Sequence, residues 1–336
     1  MTNKERVISA INHVQTEKLP YSVGFVDEEF HRVADYLGDP NFMSDYNNHI
    51  SQVYYSGDSK EIPGMSGYFK DDFGVVWNKN GVDKDIGMIE GLVFPEPSMG
   101  VYKFPVFDER SFRSRIEKML EDEKDNFCAC SIGFSLFERA WSLRGMENLL
   151  IDMIETPEFA EELFDAIVEF NLKIINISLE YDIDGMMFGD DWGQQKGLIM
   201  GPRIWRKFIK PRLAKMYAPV KQKGKHVLQH SCGDIFEIFP DLIEVGLDVY
   251  QTVQPEIYDL AKLKSEFGKD LTFWGGISTQ RLLPFASAEE VKRVVKETIE
   301  IMKVGGGYIA GPTHSIPGDV PPENVIVMLQ EFEGGK

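Results

Sequence analysis

Beyond residue 126 the chain alternates two patterns: short, nearly continuous apolar runs, and longer stretches whose apolar residues recur every three or four positions. The first kind reads as a strand buried on both faces, the second as an amphipathic helix. Cys128–Ile132 predicts a strand. Glu158–Tyr181 predicts a long helix with Phe159, Leu163, Ile167 and Phe170 on one stripe. A predicted strand at Gly185–Phe188 precedes a predicted helix at Arg203–Lys221, which Pro211 should kink or restart. The alternation continues with predicted strands at Lys225–His230, Asp248–Thr252, Leu271–Trp274 and Tyr308–Ala310. The helices expected after them are Ile235–Val245, Tyr258–Phe267, Ala288–Val304 and Pro322–Phe332.

Repeated βα units without long breaks predict a parallel sheet closed by crossover helices. Six strands are visible in this way. Leu19–Phe25, after an amphipathic helix at Lys4–His13, supplies another, and one strand stays unplaced between residues 30 and 126. Ser66–Asn78 sets turn residues between aromatic and β-branched ones and predicts a β-hairpin. The expected fold is α/β: one (β/α)8 TIM-barrel domain over residues 1–336, with residues 50–110 as a β-hairpin elaboration. A length of 336 residues suits such a barrel with insertions.

Composition narrows the function. A formal net charge of -18 makes nucleic acid and anionic membranes poor partners. No window approaches the roughly 18 consecutive apolar residues of a membrane span. The opening Met-Thr-Asn-Lys-Glu-Arg lacks the basic and apolar regions of a signal peptide, so a cytoplasmic protein is expected. Three cysteines without regular spacing, Cys128, Cys130 and Cys232, fit a reducing compartment better than a disulfide framework. Cys128 and Cys130 share one face of an apolar strand and read as packing.

In a β/α barrel, chemistry sits at the C-terminal ends of the strands. Here those ends carry Asp190-Asp191-Trp192, Gln229-His230-Ser231-Cys232, Gln251-Thr252-Val253-Gln254, Trp274-Gly275-Gly276 and Thr313-His314-Ser315, with Glu138-Arg139 after the Cys128–Ile132 strand. Asp190-Asp191 would equally serve as a helix or turn cap. Imidazole and thiolate are ligands zinc favours, and His230, Cys232 and His314 follow strands on one face of the barrel. Three protein ligands with a fourth position left open is the pattern of catalytic zinc.

These residues resemble the uroporphyrinogen decarboxylase superfamily, a barrel fold that also contains corrinoid-dependent methyltransferases. The resemblance runs from Lys18-Leu19-Pro20 to Pro321-Pro322-Glu323 and is strongest over Gly224 to Gly233, Trp274 to Phe285 and Thr313 to Pro317. Decarboxylases of this superfamily grip an eight-carboxylate tetrapyrrole with an arginine-bearing opening strand. Here the matching stretch, Tyr21 to Phe30, has no arginine and three acids in a row. The methyltransferase branch carries a His-x-Cys zinc motif, which His230 and Cys232 match. Its further cysteine is replaced by His314.

The resemblance therefore implies a Zn2+ site at His230, Cys232 and His314. It also implies transfer of a methyl group between a small methylated substrate and the cobalt of a separate corrinoid protein. O-demethylation of a methoxylated aromatic is favoured, and a metal-independent decarboxylase is the alternative. Asp190, Asp191 or Glu138 would supply a fourth ligand, a proton, or the group that orients a histidine. Phe25, Trp192 and Trp274 would wall the substrate, with Gln229 and Gln254 as polar contacts. No Asp-x-His-x-x-Gly corrinoid segment occurs in this chain, so the corrinoid arrives on its partner. A homodimer is compatible with all of this.

Overall fold

The computed structural model describes residues 1–55, 57–81 and 87–335. The first barrel strand is β1 (Ile50–Tyr55). A separate antiparallel sheet follows, made of β2 (Ser59–Glu61), β3 (Tyr68–Asp71), β4 (Val76–Asn78) and β5 (Met88–Ile89). The chain then returns to the barrel with β6 (Phe127–Ile132), β7 (Gly185–Gly189), β8 (His226–His230), β9 (Val249–Val253), β10 (Thr272–Ile277) and β11 (Tyr308–Pro312). β1 and β6 to β11 form one parallel sheet in chain order. Helices connect them, and β6, β10 and β11 are buried along their whole length, as strands covered on both faces must be.

The barrel closes through residues 20–25, which make isolated bridges in place of a ladder. Tyr21 pairs with Ala310 and Phe25 with Ile316. The Ser22 amide donates to the Ala310 carbonyl at 3.0 Å, and on the other side the His49 amide donates to the Tyr21 carbonyl at 3.0 Å. The strand expected at Leu19–Phe25 thus occupies its place in the barrel with little regular backbone pairing. Helix Asn3–Ile11 seals the floor. Its Val7, Ala10 and Ile11 pack against Ile50, Phe127, Val249 and Ile309 inside the barrel. The barrel is therefore plugged at the N-terminal end of its strands, and the cavity opens at the other.

The strand unplaced in the sequence is β1, paired in register with β6 from Ile50–Phe127 to Tyr55–Ile132. The elaboration consequently starts after Tyr55 rather than at residue 50. The range expected for it also takes in residues 56 and 82–86, which lie outside the described residues. The hairpin within Ser66–Asn78 is β3–β4. A buried ion pair fixes this sheet to the barrel: Arg139 meets Asp71 at 3.0 Å and stacks on Phe73, 3.8 Å from the ring centroid. The helix expected at Arg203–Lys221 is two helices, Gly201–Phe208 and Lys210–Gln222, with Pro211 in the first turn of the second.

Candidate metal centre

The site is built at the C-terminal ends of β7, β8 and β9. His230 is the last residue of β8, and Cys232 stands two positions on, where the chain turns through Gly233 at φ +78. Four buried groups pin this turn. The Gly233 amide donates to Gln254 Oε1 at 2.7 Å, Tyr258 OH donates to the Gly233 carbonyl at 2.7 Å, and Tyr250 OH donates to the Ser231 carbonyl at 2.9 Å. From the neighbouring loop, the Trp192 amide donates to Ser231 Oγ at 3.0 Å. The two loops also touch directly. A Cβ on Gly193 would lie 2.5 Å from the Gly233 carbonyl carbon, so only glycine allows the approach. Asp191 is thereby held against Cys232, whose amide donates to Asp191 Oδ1 at 2.8 Å.

The result is a compact group of donors. His230 Nε2 lies 3.5 Å from Cys232 Sγ and 3.4 Å from Asp191 Oδ1. All three ligand atoms fall within 4.8 Å of one another. A tetrahedral zinc with bonds of ~2.3 Å to sulfur and ~2.0–2.1 Å to nitrogen and oxygen has edges of about 3.5 Å and about 3.3 Å. The donor set fits that ion in both chemistry and spacing. His230 Nδ1 donates to Gln251 Oε1 in β9, which fixes the ring and leaves Nε2 as the nitrogen available to an ion.

The electrostatics agree. Burial opposes a charge on His230, but Asp191 and Cys232 outweigh it and raise its pKa well above the usual value. Burial likewise works against the Asp191 carboxylate, and His230 reverses the effect and holds its pKa below the ordinary value. A positive centre at Nε2 is what the two acidic neighbours stabilise.

Asp190 and Asp191 alternate across the chain and serve different ends. The Asp190 side chain is fully buried and accepts the backbone amides of Leu136, Phe137 and Glu138 at 3.2, 2.9 and 2.8 Å, plus Trp192 Nε1 at 2.5 Å. It caps helix Phe137–Arg144 from another strand, so it positions Glu138 instead of reaching the cavity. Burial raises its pKa to about 6 against these bonds. Glu138 does line the cavity, and burial followed by repulsion from Asp191 and Asp190 pushes its pKa well above the carboxylate range.

The cavity has a volume of about 560 Å³. It takes in Asp191, His230 and His314, with Trp274, Phe134, Met187 and Tyr54 among its apolar walls and Gln52, Ser131 and Gln251 among its polar ones. His314 sits on this wall with its ring centroid 6.0 Å from that of His230, outside the compact group. Asp191, not His314, stands third among the tight donors.

Four residues expected at the substrate are outside the lining of this cavity and are engaged in packing and hydrogen bonds behind it. Trp192 is fully buried against Trp205. Gln229 is fully buried, accepting from Tyr217 OH at 2.5 Å and donating to the His230 carbonyl. Gln254 holds the Gly233 turn. Phe25 packs edge-on against Phe30 and Phe42. Of the expected wall residues, Trp274 alone faces the cavity. Gln251 was the missed member, although its place at a strand end beside the His230 strand marked it as a group able to orient the imidazole.

The sequence profile of the uroporphyrinogen decarboxylase (URO-D) family matches residues 116–334. The chain belongs to that family. Among curated members, a uroporphyrinogen decarboxylase of Geobacter sulfurreducens is 21% identical over 187 residues, covering 54% of this chain and 51% of that protein. One from Geobacter metallireducens is 22% identical over 182 residues, covering 53% and 50%. The chain thus spans about half the length of these URO-D relatives. Among solved structures, a methyltransferase from Methanosarcina mazei superposes with a TM-score of 0.73 at 17% identity, covering 99% of this chain and 98% of that one. That likeness shows a shared fold over the whole length.

Proposed function

We propose that this URO-D family member is a zinc-dependent methyltransferase that passes a methyl group from a small methylated substrate, preferably a methoxylated aromatic, to a separate corrinoid protein. The observation that carries the reading is the Asp191–His230–Cys232 group, spaced for a tetrahedral ion at the edge of a half-apolar cavity. Bound there, zinc would supply Lewis acidity to the departing oxygen, and the corrinoid of the partner would supply the methyl acceptor. His230, Cys232 and Asp191 would hold the ion, and Gln251 orients His230. Glu138 keeps its proton in this acidic corner and delivers it to the oxygen that leaves. Trp274, Phe134 and Tyr54 sandwich the aromatic ring, and His314 contacts the substrate from the open side.

Metal analysis of the purified chain should find about one zinc, as one site of three ligands requires. Methyl transfer from 2-methoxyphenol to cob(I)alamin should disappear on metal removal and return when zinc is restored. Undiminished transfer by metal-free protein would overturn the reading.

The family profile favours a second reading, metal-independent decarboxylation. The cavity opposes it for the family's tetrapyrrole. Among the described residues lining it there is no lysine or arginine, while Glu138 and Asp191 are both present. Eight carboxylates would enter with only the imidazoles of His230 and His314 to meet them.

A further inference from the structure

Below the level of the donors the cavity has a second polar layer. It bears on which methylated aromatics fit, an inference that rests on the reading just given. Alternate residues of a strand face the barrel interior. Gly189 of β7 pairs with His230, and Met187, two positions earlier, pairs with Ser131 of β6. Met187 and Ser131 therefore stand about 6–7 Å below His230 along the strands. Met187 packs there with Ile50, Ala129 and Leu228 in the apolar cluster of the floor.

From β1, Gln52 reaches into this layer. Ser131 Oγ donates to Gln52 Oε1 at 3.2 Å, and Gln52 Nε2 donates to Met187 Sδ at 3.3 Å. The two contacts hold the plane of the amide but leave it under-used. A primary amide has two N–H groups to donate, and a thioether is a weak acceptor. Among the described residues, Nε2 meets no acceptor better than this sulfur. Water can serve while the cavity is open. A bound ring that displaces the water must bring an acceptor of its own or leave a donor unpaired.

The other polar groups of the lining are higher or already paired. Glu138, Asp191, His314 and Ser315 lie beyond the ends of their strands, and His230 lies at the end of its own. Gln251 Oε1 accepts from His230 Nδ1, and Asn48 is bonded to both backbone groups of Val23. Ser22 stands across the cavity on the closing segment.

We infer that Gln52 is a specificity-determining residue: it selects aromatic ethers that carry a hydrogen-bond acceptor on the ring carbon opposite the methoxy group. With the methoxy oxygen at the level of His230, one benzene ring spans the drop to the Gln52 layer and presents its far substituent to Nε2. A ring with a plain alkyl group at that end buries the N–H without a partner.

Titration calorimetry on the zinc-loaded full chain would compare two neutral ligands of one shape, 4-methoxyacetophenone and 1-isopropyl-4-methoxybenzene. The ketone should bind about fivefold tighter or more, although the hydrocarbon is the more apolar of the pair. In Gln52→Leu the advantage should vanish or reverse, because leucine fills the place without a donor. Gln52→Met serves the same purpose should the branched side chain prevent folding.

Equal binding of the two ligands by the unaltered protein overturns the inference. So does a ketone preference that survives the loss of Gln52, and so does failure of both ligands to bind. Methyl transfer to cob(I)alamin is read separately. A preference that depends on Gln52, without transfer from either ligand, would sink the methyltransferase reading and leave the role of Gln52 standing. Transfer from both ligands with equal binding would sink the role of Gln52 alone.

Discussion

The cavity has two walls built on opposite plans. On the β7–β9 side, parallel strands in regular register lead into two loops that touch through Gly193 and Gly233 and are pinned by Tyr250, Tyr258 and Gln254. On the other side, residues 20–25 cross the barrel with scattered bridges, and side chains finish the work. Asn48 both accepts from the Val23 amide and donates to its carbonyl, at 2.8 and 2.9 Å. His49 Nδ1 accepts from the Tyr21 amide at 3.2 Å. The donors of the proposed metal site stand on the first wall, where backbone and buried hydroxyls fix positions to the tolerance a metal centre demands. The second wall needs only to close the barrel and bound the cavity. Alterations to the two walls should therefore separate metal binding from stability.

The largest effect should come from the donors themselves. Cys232→Ala and His230→Ala should each remove zinc, measured by metal analysis, and abolish methyl transfer while the far-ultraviolet dichroism stays native. Retained zinc in both would show that the first wall does not hold the ion.

Next is Gly193→Ala, whose new Cβ meets the Gly233 backbone. Forcing these loops apart should weaken zinc binding by ~10–100-fold, the cost usual when groups that orient metal ligands are lost. Chelator competition reads this directly, and an unchanged affinity would show that the loop contact is incidental.

On the second wall, Asn48→Ala strands the Val23 amide and carbonyl and should lower stability by about 1–3 kcal/mol in denaturant titration. Zinc affinity should not move. A loss of zinc with Asn48→Ala would mean that the two walls are one unit.

The last effect is pH-dependent and vanishes near neutral pH. Burial, followed by repulsion from Arg6, lowers the His49 pKa from its ordinary value to about 4. Between about pH 6.5 and 4 the unfolded chain binds a proton that folded His49 refuses, so this histidine makes stability fall as pH drops through that window. The loss is at most about 3 kcal/mol at its acidic end. His49→Gln should flatten the acid limb of a stability–pH curve without altering its plateau near pH 7. An acid limb as steep as the wild type's would assign the loss to other groups.

Some of this molecule could be read directly from the chain. The strands at β6 to β11 stand out because a strand covered on both faces must be apolar throughout, and the hairpin because aromatic residues flank its turn. β1 escaped notice for the same reason in reverse. Ile-Ser-Gln-Val-Tyr-Tyr carries Gln52 and Tyr54 toward the cavity, so the run is broken where the cavity begins. Trp192, Gln229 and Gln254 pack behind the cavity, and the sequence does not distinguish them from its lining because a polar or aromatic residue at a strand end has the same appearance in either place.

The sequence by itself determined the alternation of elements, the family, and the His230–Cys232 pair, because each depends on residues close together along the chain. Only the tertiary structure decided that Asp191 joins that pair, that Asp190 beside it caps a distant helix, and that His314 stays on the cavity wall. Adjacent residues on an extended segment point to opposite sides, so two neighbouring acids with one chemistry are assigned different work by what the fold places on each side.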